Sequence, residues 1–399
     1  MKVLLVNDYA TPTAGAEIMT LTLRDELRAR GHEVRVLASI AELVKGPQFA
    51  DEVCFGTTSR FQALTSVYNP SARQALARMI SGFDPDLVHV KMFLWQISPS
   101  ILPLLRHIPA IYQIETYKPI CPNGRKTLPN GEICENAPGK ACLLGGCLTP
   151  QSWIAMMAQH LLWRRNQGAF DRFVTISNTM RARLESEGVG PCEVIPNGCP
   201  VRSARPALSD EPVIAFAGRL SSEKGVGVLI EAFAIAHRQV PKAKLWIAGD
   251  GPQAGDLKQL ARRLGVEDHT QFLGSLDREQ LEKQFDKAWV QVVPSIWDEP
   301  FGIVAIEAMM RGTTVVASNG GALREIVRHD KTGLLVPPSD VRQLSVALVR
   351  LASDRALCES MGAAGRTVAL EEYTIGDCCN RLLALYEQVL ASSGGGTEH

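Results

Sequence analysis

The feature that most constrains this chain is a recurring order: a short run of β-branched and apolar residues, a loop rich in glycine and polar residues, then a stretch with helical periodicity. It is clearest where Trp289 to Val293 leads into Ser295-Ile296-Trp297-Asp298-Glu299-Pro300-Phe301-Gly302, followed by Ile303-Val304-Ala305-Ile306-Glu307 and a stop at Gly312. Such a stretch predicts strand, loop, helix and C-terminal cap. The two glutamates then sit differently. Glu299 lies in the loop at the carboxyl end of a strand, where open α/β sheets bind ligands, and Glu307 lies more than a turn inside the helix. Gly302 admits close backbone approach, and the unpaired N–H groups of a helix start suit an anion such as a diphosphate.

The same order opens the chain. Val3 to Val6 precedes the loop Thr11-Pro12-Thr13-Ala14-Gly15-Ala16-Glu17, a helical pattern from Ile18 to Arg30 stopped by Gly31, and the next strand, His32 to Ala38. It recurs at Val213-Ile214-Ala215-Phe216-Ala217-Gly218-Arg219-Leu220-Ser221-Ser222-Glu223-Lys224-Gly225. The fold class is therefore α/β, in two doubly wound halves. At 399 residues the chain exceeds the size at which one core keeps growing. The expected domains are 1–205 and 206–375, joined through the linker-like Pro200 to Pro212. A last helix in 376–399 crosses back to the first domain, ahead of a disordered tail from Ser392.

Composition bounds the partners. Net charge is zero, with 22 Lys+Arg against 17 Asp+Glu in residues 1–205 and 20 against 25 in 206–399. So weak an asymmetry argues against nucleic acid. The start, Met1 to Asp8, reads as a buried strand and not as a signal peptide, and no run of about 18 apolar residues occurs. The expectation is a cytoplasmic protein with mostly reduced cysteines. The helical stretch Ser152 to Phe170, carrying Trp153, Met156, Met157, Leu161, Leu162 and Trp163, reads first as a core helix. Its basic pair Arg164-Arg165 leaves open peripheral contact with the inner face of a membrane. His89, in the strand Asp86 to Val90, reads as a packing residue.

Taken singly, the remaining signals are ordinary. Gly218 with Arg219, the turn Gly249-Asp250-Gly251-Pro252 and the turn Asn319-Gly320-Gly321 would each pass as solvated loops, although a Gly-Gly turn at a helix start can cradle phosphate through backbone N–H groups. Together with Glu-Pro-Phe-Gly and Glu-Ala-Met, the latter placing Glu307 seven residues beyond Glu299, they form a specific set. It resembles the signature of retaining GT-B glycosyltransferases, in particular glycosyltransferase family 4, over nearly the whole chain and most closely from Gly218 to Pro337.

The resemblance implies two Rossmann-like domains with a cleft between them, and transfer of a sugar from a nucleoside diphosphate, UDP favoured and GDP next, to a hydroxyl acceptor. That acceptor would be a glycan, a lipid-linked molecule or a small metabolite. It implies that Arg219 and Lys224 stabilise the departing diphosphate, that Glu299 contacts sugar hydroxyls and that Glu307 contacts the ribose. Gly15, Gly218, Gly249, Gly251, Phe301, Gly302 and Ile303 complete the donor contacts. Two fixed cations can neutralise the leaving group without a metal ion, so no cofactor is expected for transfer. One position departs from the pattern. Where many relatives end the strand Ala110 to Ile114 with a histidine that reaches the transferred sugar, this chain has Glu115, which can accept hydrogen bonds but cannot supply an imidazolium. Other readings are a non-catalytic nucleotide-sugar-binding subunit, or an epimerase or phosphorylase on the same fold.

Cys121, Cys134, Cys142 and Cys147 fall in one loop rich in glycine and proline. Four thiols so close together suggest structural zinc, which would order a loop of little apolar content, but gaps of twelve, seven and four residues are not zinc knuckles. Free thiols or a redox pair stay open beside it.

Overall fold

Uninterrupted runs of Val, Leu, Ile and Ala form parallel strands here, because a strand covered on both faces has no side on which to place polar residues. In the computed structural model, which describes residues 1–11, 15–41, 48–59, 61–129 and 131–394, the chain divides into two units. One comprises Met1–Asn130, Cys134–Pro200 and Ile375–His399, the other Gly131–Ile133 and Val201–Thr374. The division falls at Pro200 and Val201, slightly ahead of the expected 205. Arg205 explains the difference: its N–H donates to the Arg311 carbonyl at 2.8 Å and its guanidinium pairs with Glu359 at 2.8 Å, both within the second unit.

The first unit holds a seven-stranded sheet of β1 (Lys2–Tyr9), β2 (Glu33–Ser39), β3 (Glu52–Cys54), β4 (Leu87–Val90), β5 (Ala110–Ile114), β6 (Arg172–Thr175) and β7 (Cys192–Val194). Their order is β3-β2-β1-β4-β5-β6-β7, all parallel, with Val3 opposite Val34 on one side and Leu87 on the other. The second unit repeats the plan with β8 (Val213–Ala217), β9 (Lys244–Ala248), β10 (Thr270–Gly274), β11 (Ala288–Val293), β12 (Thr314–Ser318) and β13 (Gly333–Val336), ordered β10-β9-β8-β11-β12-β13. In each sheet the winding reverses beside the first strand, between β1 and β4 and between β8 and β11. Loops leaving the carboxyl ends of those strands diverge, which opens a crevice for ligands.

The last helix, Ile375–Gly394, belongs to the first unit, where Cys378, Leu382 and Tyr386 pack with Val3, Leu5 and Ile111. At Ser392 to Gly394, where a disordered tail was expected, the helix continues; the rest of that expected tail, residues 395–399, lies outside the described residues. His89 is fully buried in β4 and its Nδ1 lies 2.6 Å from the Tyr386 hydroxyl, as a packing residue would. The helix Pro150–Asn166 buries Trp163 among Phe93, Tyr112, Phe170 and Phe173, while Ile154 and Leu161 on the same helix are exposed. Among the described residues no helix is long and apolar enough to cross a membrane.

Candidate functional site

Glu299 stands in the loop between β11 and the helix Ile303–Met310, and Lys224 in the short 3-10 turn Ser222–Lys224 that follows β8. Both loops leave the point where the second sheet reverses its winding. There the Lys224 ammonium donates to both Glu299 carboxylate oxygens, at 2.7 and 3.0 Å. The Ser295 hydroxyl and the Trp297 indole N–H donate to Oε2 at 2.7 and 2.9 Å. Burial pushes the Glu299 carboxyl upward, but Lys224 and the Ser295 and Trp297 donors outweigh it, so the group sits below the usual carboxylate range. Lys224 also lies over the Trp297 ring, 5.4 Å from its centroid. The site thus presents a carboxylate held ionised and fixed in orientation.

Ser295 and Trp297 were not singled out in the sequence as site residues. Their signal was their spacing: a hydroxyl and an indole, four and two residues before Glu299, in one turn, can fold back on it. Arg219, the second expected cation, is exposed and forms no ion pair among the described residues, so its guanidinium is available to an anion.

The glycines of these loops are demanded by the chain itself. Gly249 has φ +135°, and a Cβ there would stand 1.9 Å from the Gly218 carbonyl oxygen, so the loops after β8 and β9 touch backbone to backbone. Gly251 meets the Leu220 backbone in the same way. The phosphate cradle expected at Asn319-Gly320-Gly321 needs correction: the N–H groups of residues 319, 320, 321 and 322 already donate to Val336, Ser318, the Asp298 carboxylate and Glu299. The start of the helix Ile303–Met310 differs. Ala305 N–H bonds the Gly302 carbonyl, so Ile303 and Val304 N–H groups have no intrahelical acceptor and point out of the helix start. Phe301 beside them is buried against Tyr373, ring centroids 6.3 Å apart. Glu307, half-buried on this helix, takes a bond from Arg278 at 3.0 Å; burial raises its carboxyl, with Arg278 and Arg202 opposing.

In the first unit, Gly15 is the exposed first residue of the helix Gly15–Ala29, while residues 12–14 of its loop lie outside the described residues. Glu115 follows β5 directly and is buried, paired with the equally buried Lys91 that follows β4, at 2.6 Å. Asp8, near the end of β1, accepts backbone N–H bonds from Trp95, Gln96 and Ile97 at 2.8 to 2.9 Å. Burial nonetheless pushes its carboxyl up to about 6, against those three bonds and Lys118. Lys91 and Asp8 were both unremarked in the sequence, although each is a charge abutting an apolar run, which is the pattern of a strand end at a ligand-binding edge.

The four cysteines of the loop line one cavity, with Cys121 buried and Cys134, Cys142 and Cys147 half-buried, all as free thiols. Burial pushes the Cys147 thiol up, and its neighbours Cys142, Cys134 and Cys121 add to the effect.

Residues 201–368 match the family Glycosyl transferases group 1, and residues 13–202 match Glycosyltransferase Family 4. The phosphatidyl-myo-inositol mannosyltransferase of Mycobacterium leprae is 29% identical over 95% of this chain and 94% of its own. Several other curated relatives match over only about half of their own length. Among solved structures, sucrose-phosphate synthase from Thermosynechococcus elongatus superposes with a TM-score of 0.74 at 23% identity, covering 98% of this chain and 99% of that one. HepE of Anabaena, solved in complex with UDP and glucose, does so at 0.70 and 18%, covering 97% and 99%. At those identities the structural likeness speaks for the fold alone. With both halves matched in sequence and both sheets of the expected kind, the chain belongs to the GT-B glycosyltransferases of family 4.

Proposed function

We propose that this chain moves a sugar from a nucleoside diphosphate, UDP before GDP, to a hydroxyl acceptor with retention of configuration and without a metal ion. The observation that carries the reading is the Lys224–Glu299 pair at the switch point of the second sheet, with exposed Arg219 on the preceding loop. A carboxylate held ionised by a lysine, an indole and a serine is fixed to accept hydrogen bonds from sugar hydroxyls. Arg219 and Lys224 supply positive charge for the leaving diphosphate, and the outward N–H groups of Ile303 and Val304 add a helix start to it. Glu307 is assigned to the ribose. The HepE complex with UDP and glucose supports the uridine donor, and the mannosyltransferase relative supports a hexose carried to a lipid-linked or polyol hydroxyl.

Among the described residues around Glu299 we see no evident nucleophile, which favours a same-face route in which the leaving phosphate oxygen helps to deprotonate the acceptor. Acceptor recognition is assigned to loops of the first unit. The buried Lys91–Glu115 pair favours a runner-up, a subunit that binds the donor without turnover, because Glu115 is already engaged by its own lysine.

The test is a thermal-shift screen of UDP, GDP and their sugars on wild type and Arg219→Ala. A ligand of the folded state at 100 times its Kd adds about 2.7 kcal/mol. Stabilisation by one base series that is lost in the variant is the expected result, followed by an acceptor panel read by anomeric NMR, with an α-linked product from an α-linked donor. Binding without transfer or hydrolysis selects the runner-up. No binding of any nucleoside diphosphate defeats both readings.

A further inference from the structure

We propose that the loop 121–148 holds one zinc ion in a structural site of four thiolates, Cys121, Cys134, Cys142 and Cys147. All four line the same cavity, together with Ile120 and Leu148, and none is in a disulfide. As the loop lies here, no group of three or more such side chains among the described residues stands at ion-holding spacing, so binding requires the loop to tighten. Binding would draw the sulfurs inward to the Zn–S distance of about 2.3 Å.

Three further observations favour a metal over idle thiols. Among its described residues the loop has one short helix, Lys140–Leu144, and Leu144 on that helix is 85% exposed. The Cys121 sulfur accepts the Lys126 backbone N–H at 3.3 Å and lies 3.0 Å from the Asn123 side-chain oxygen, so the start of the loop already wraps around it. Positive charge stands in this loop and just ahead of it. The buried Lys118 ammonium donates to the Pro122 carbonyl, and the buried Lys126 ammonium donates to the Asn136 carbonyl at 2.8 Å and pairs with Glu187.

The balance is simple. A zinc dication displaces four protons from four thiols and leaves a centre of net charge −2, which those ammonium groups face. With four protein ligands no position stays open for substrate, so the ion orders the loop and takes no part in transfer.

The experiment is metal analysis of the full chain purified without added chelator. About one zinc per chain is expected, released by a thiol-blocking reagent together with a fall in melting temperature. Cys142→Ser and Cys147→Ser should each lower the zinc content at least tenfold, while Cys358→Ser, buried in the second unit, should leave it unchanged. Because the loop variants could fail to fold, metal-stripped wild type is also titrated with cobalt(II). Thiolate-to-cobalt charge transfer with the visible bands of tetrahedral cobalt supports the site. Zinc far below one per chain with all ten thiols titratable after denaturation overturns it. So does a thiol count short by two, which would mean a disulfide, or iron with acid-labile sulfide in place of zinc.

Discussion

Lys91 and Glu115 leave the carboxyl ends of the adjacent strands β4 and β5 and meet at 2.6 Å, both side chains almost entirely out of water. A buried pair of this kind gives little net stability, yet removing one partner strands the other charge in a medium that cannot solvate it. Lys91→Met alone should therefore cost about 3–5 kcal/mol, and Lys91→Met combined with Glu115→Leu should recover most of that loss. Urea denaturation of wild type, both single variants and the double variant measures it. A double variant as unstable as the sum of the singles would show that the two residues act separately.

The second pair, Lys224 with Glu299, makes a prediction in pH. The Glu299 carboxyl is depressed in the folded state, so the unfolded chain binds its proton more readily. Its contribution to stability is then complete above the ordinary glutamate value of about 4.3 and is lost as pH falls through the lower, folded value. In Glu299→Gln this acid-side loss should be shallower than in wild type, as read by thermal unfolding across the acid range. The same variant should lower transfer by roughly ten- to a hundredfold, the worth of about 1.5–3 kcal/mol for a hydrogen bond to a charged group. Unaltered turnover would remove Glu299 from the donor site.

Much of this arrangement could be read from the residues. The strands were legible because Val3 to Val6, Val213 to Ala217 and, Gln291 apart, Trp289 to Val293 are apolar without alternation, and the donor loops because Gly218, Lys224, Glu299 and Gly302 come in a specific order. The Lys224–Glu299 contact was not, since 75 positions separate the two and only the strand order brings them together. For the same reason Asp8 and Lys91 stayed hidden: each is one charge at the end of an apolar run, and its partner comes from a different strand or loop. The Gly320-Gly321 turn misled in the opposite direction. Its composition suits an anion, but Ser318 had already taken the Gly320 N–H, the Asp298 carboxylate that of Gly321 and the Glu299 carbonyl that of Ala322.

Asp8 shows the opposite sign. Its folded carboxyl is raised to about 6 by burial, so between the ordinary aspartate value of about 3.9 and that figure the folded chain holds the proton and the unfolded chain does not. Stability falls as pH rises through this window, and the full cost of the buried charge is present above it. Asp8→Asn should abolish that slope. It should also destabilise the protein at low pH, because an amide offers one acceptor where Asp8 uses both oxygens to hold Trp95, Gln96 and Ile97. Chemical denaturation at several pH values between 4 and 7 checks both statements. A wild-type slope that persists in the variant would assign it to another group.

Gly249 tests whether the loops after β8 and β9 depend on backbone contact. At φ +135° a side chain is strained whatever the space, and here there is none, with the Gly218 carbonyl oxygen 1.9 Å from the position of a Cβ. Gly249→Ala must therefore push the two loops apart, at a cost of at least about 2–3 kcal/mol. Gly255 is the control. It lies exposed in the helix Ala254–Arg263 with nothing within 4 Å of its Cβ position, and alanine there should gain about 0.5–1 kcal/mol. Thermal unfolding of the two variants should thus move in opposite directions. Because Gly218 precedes Arg219, the same displacement should weaken nucleoside diphosphate binding in Gly249→Ala and leave it intact in Gly255→Ala. Equal melting temperatures for the two variants would mean that the loops yield freely, and that the glycine at 249 is not what holds Arg219 in place.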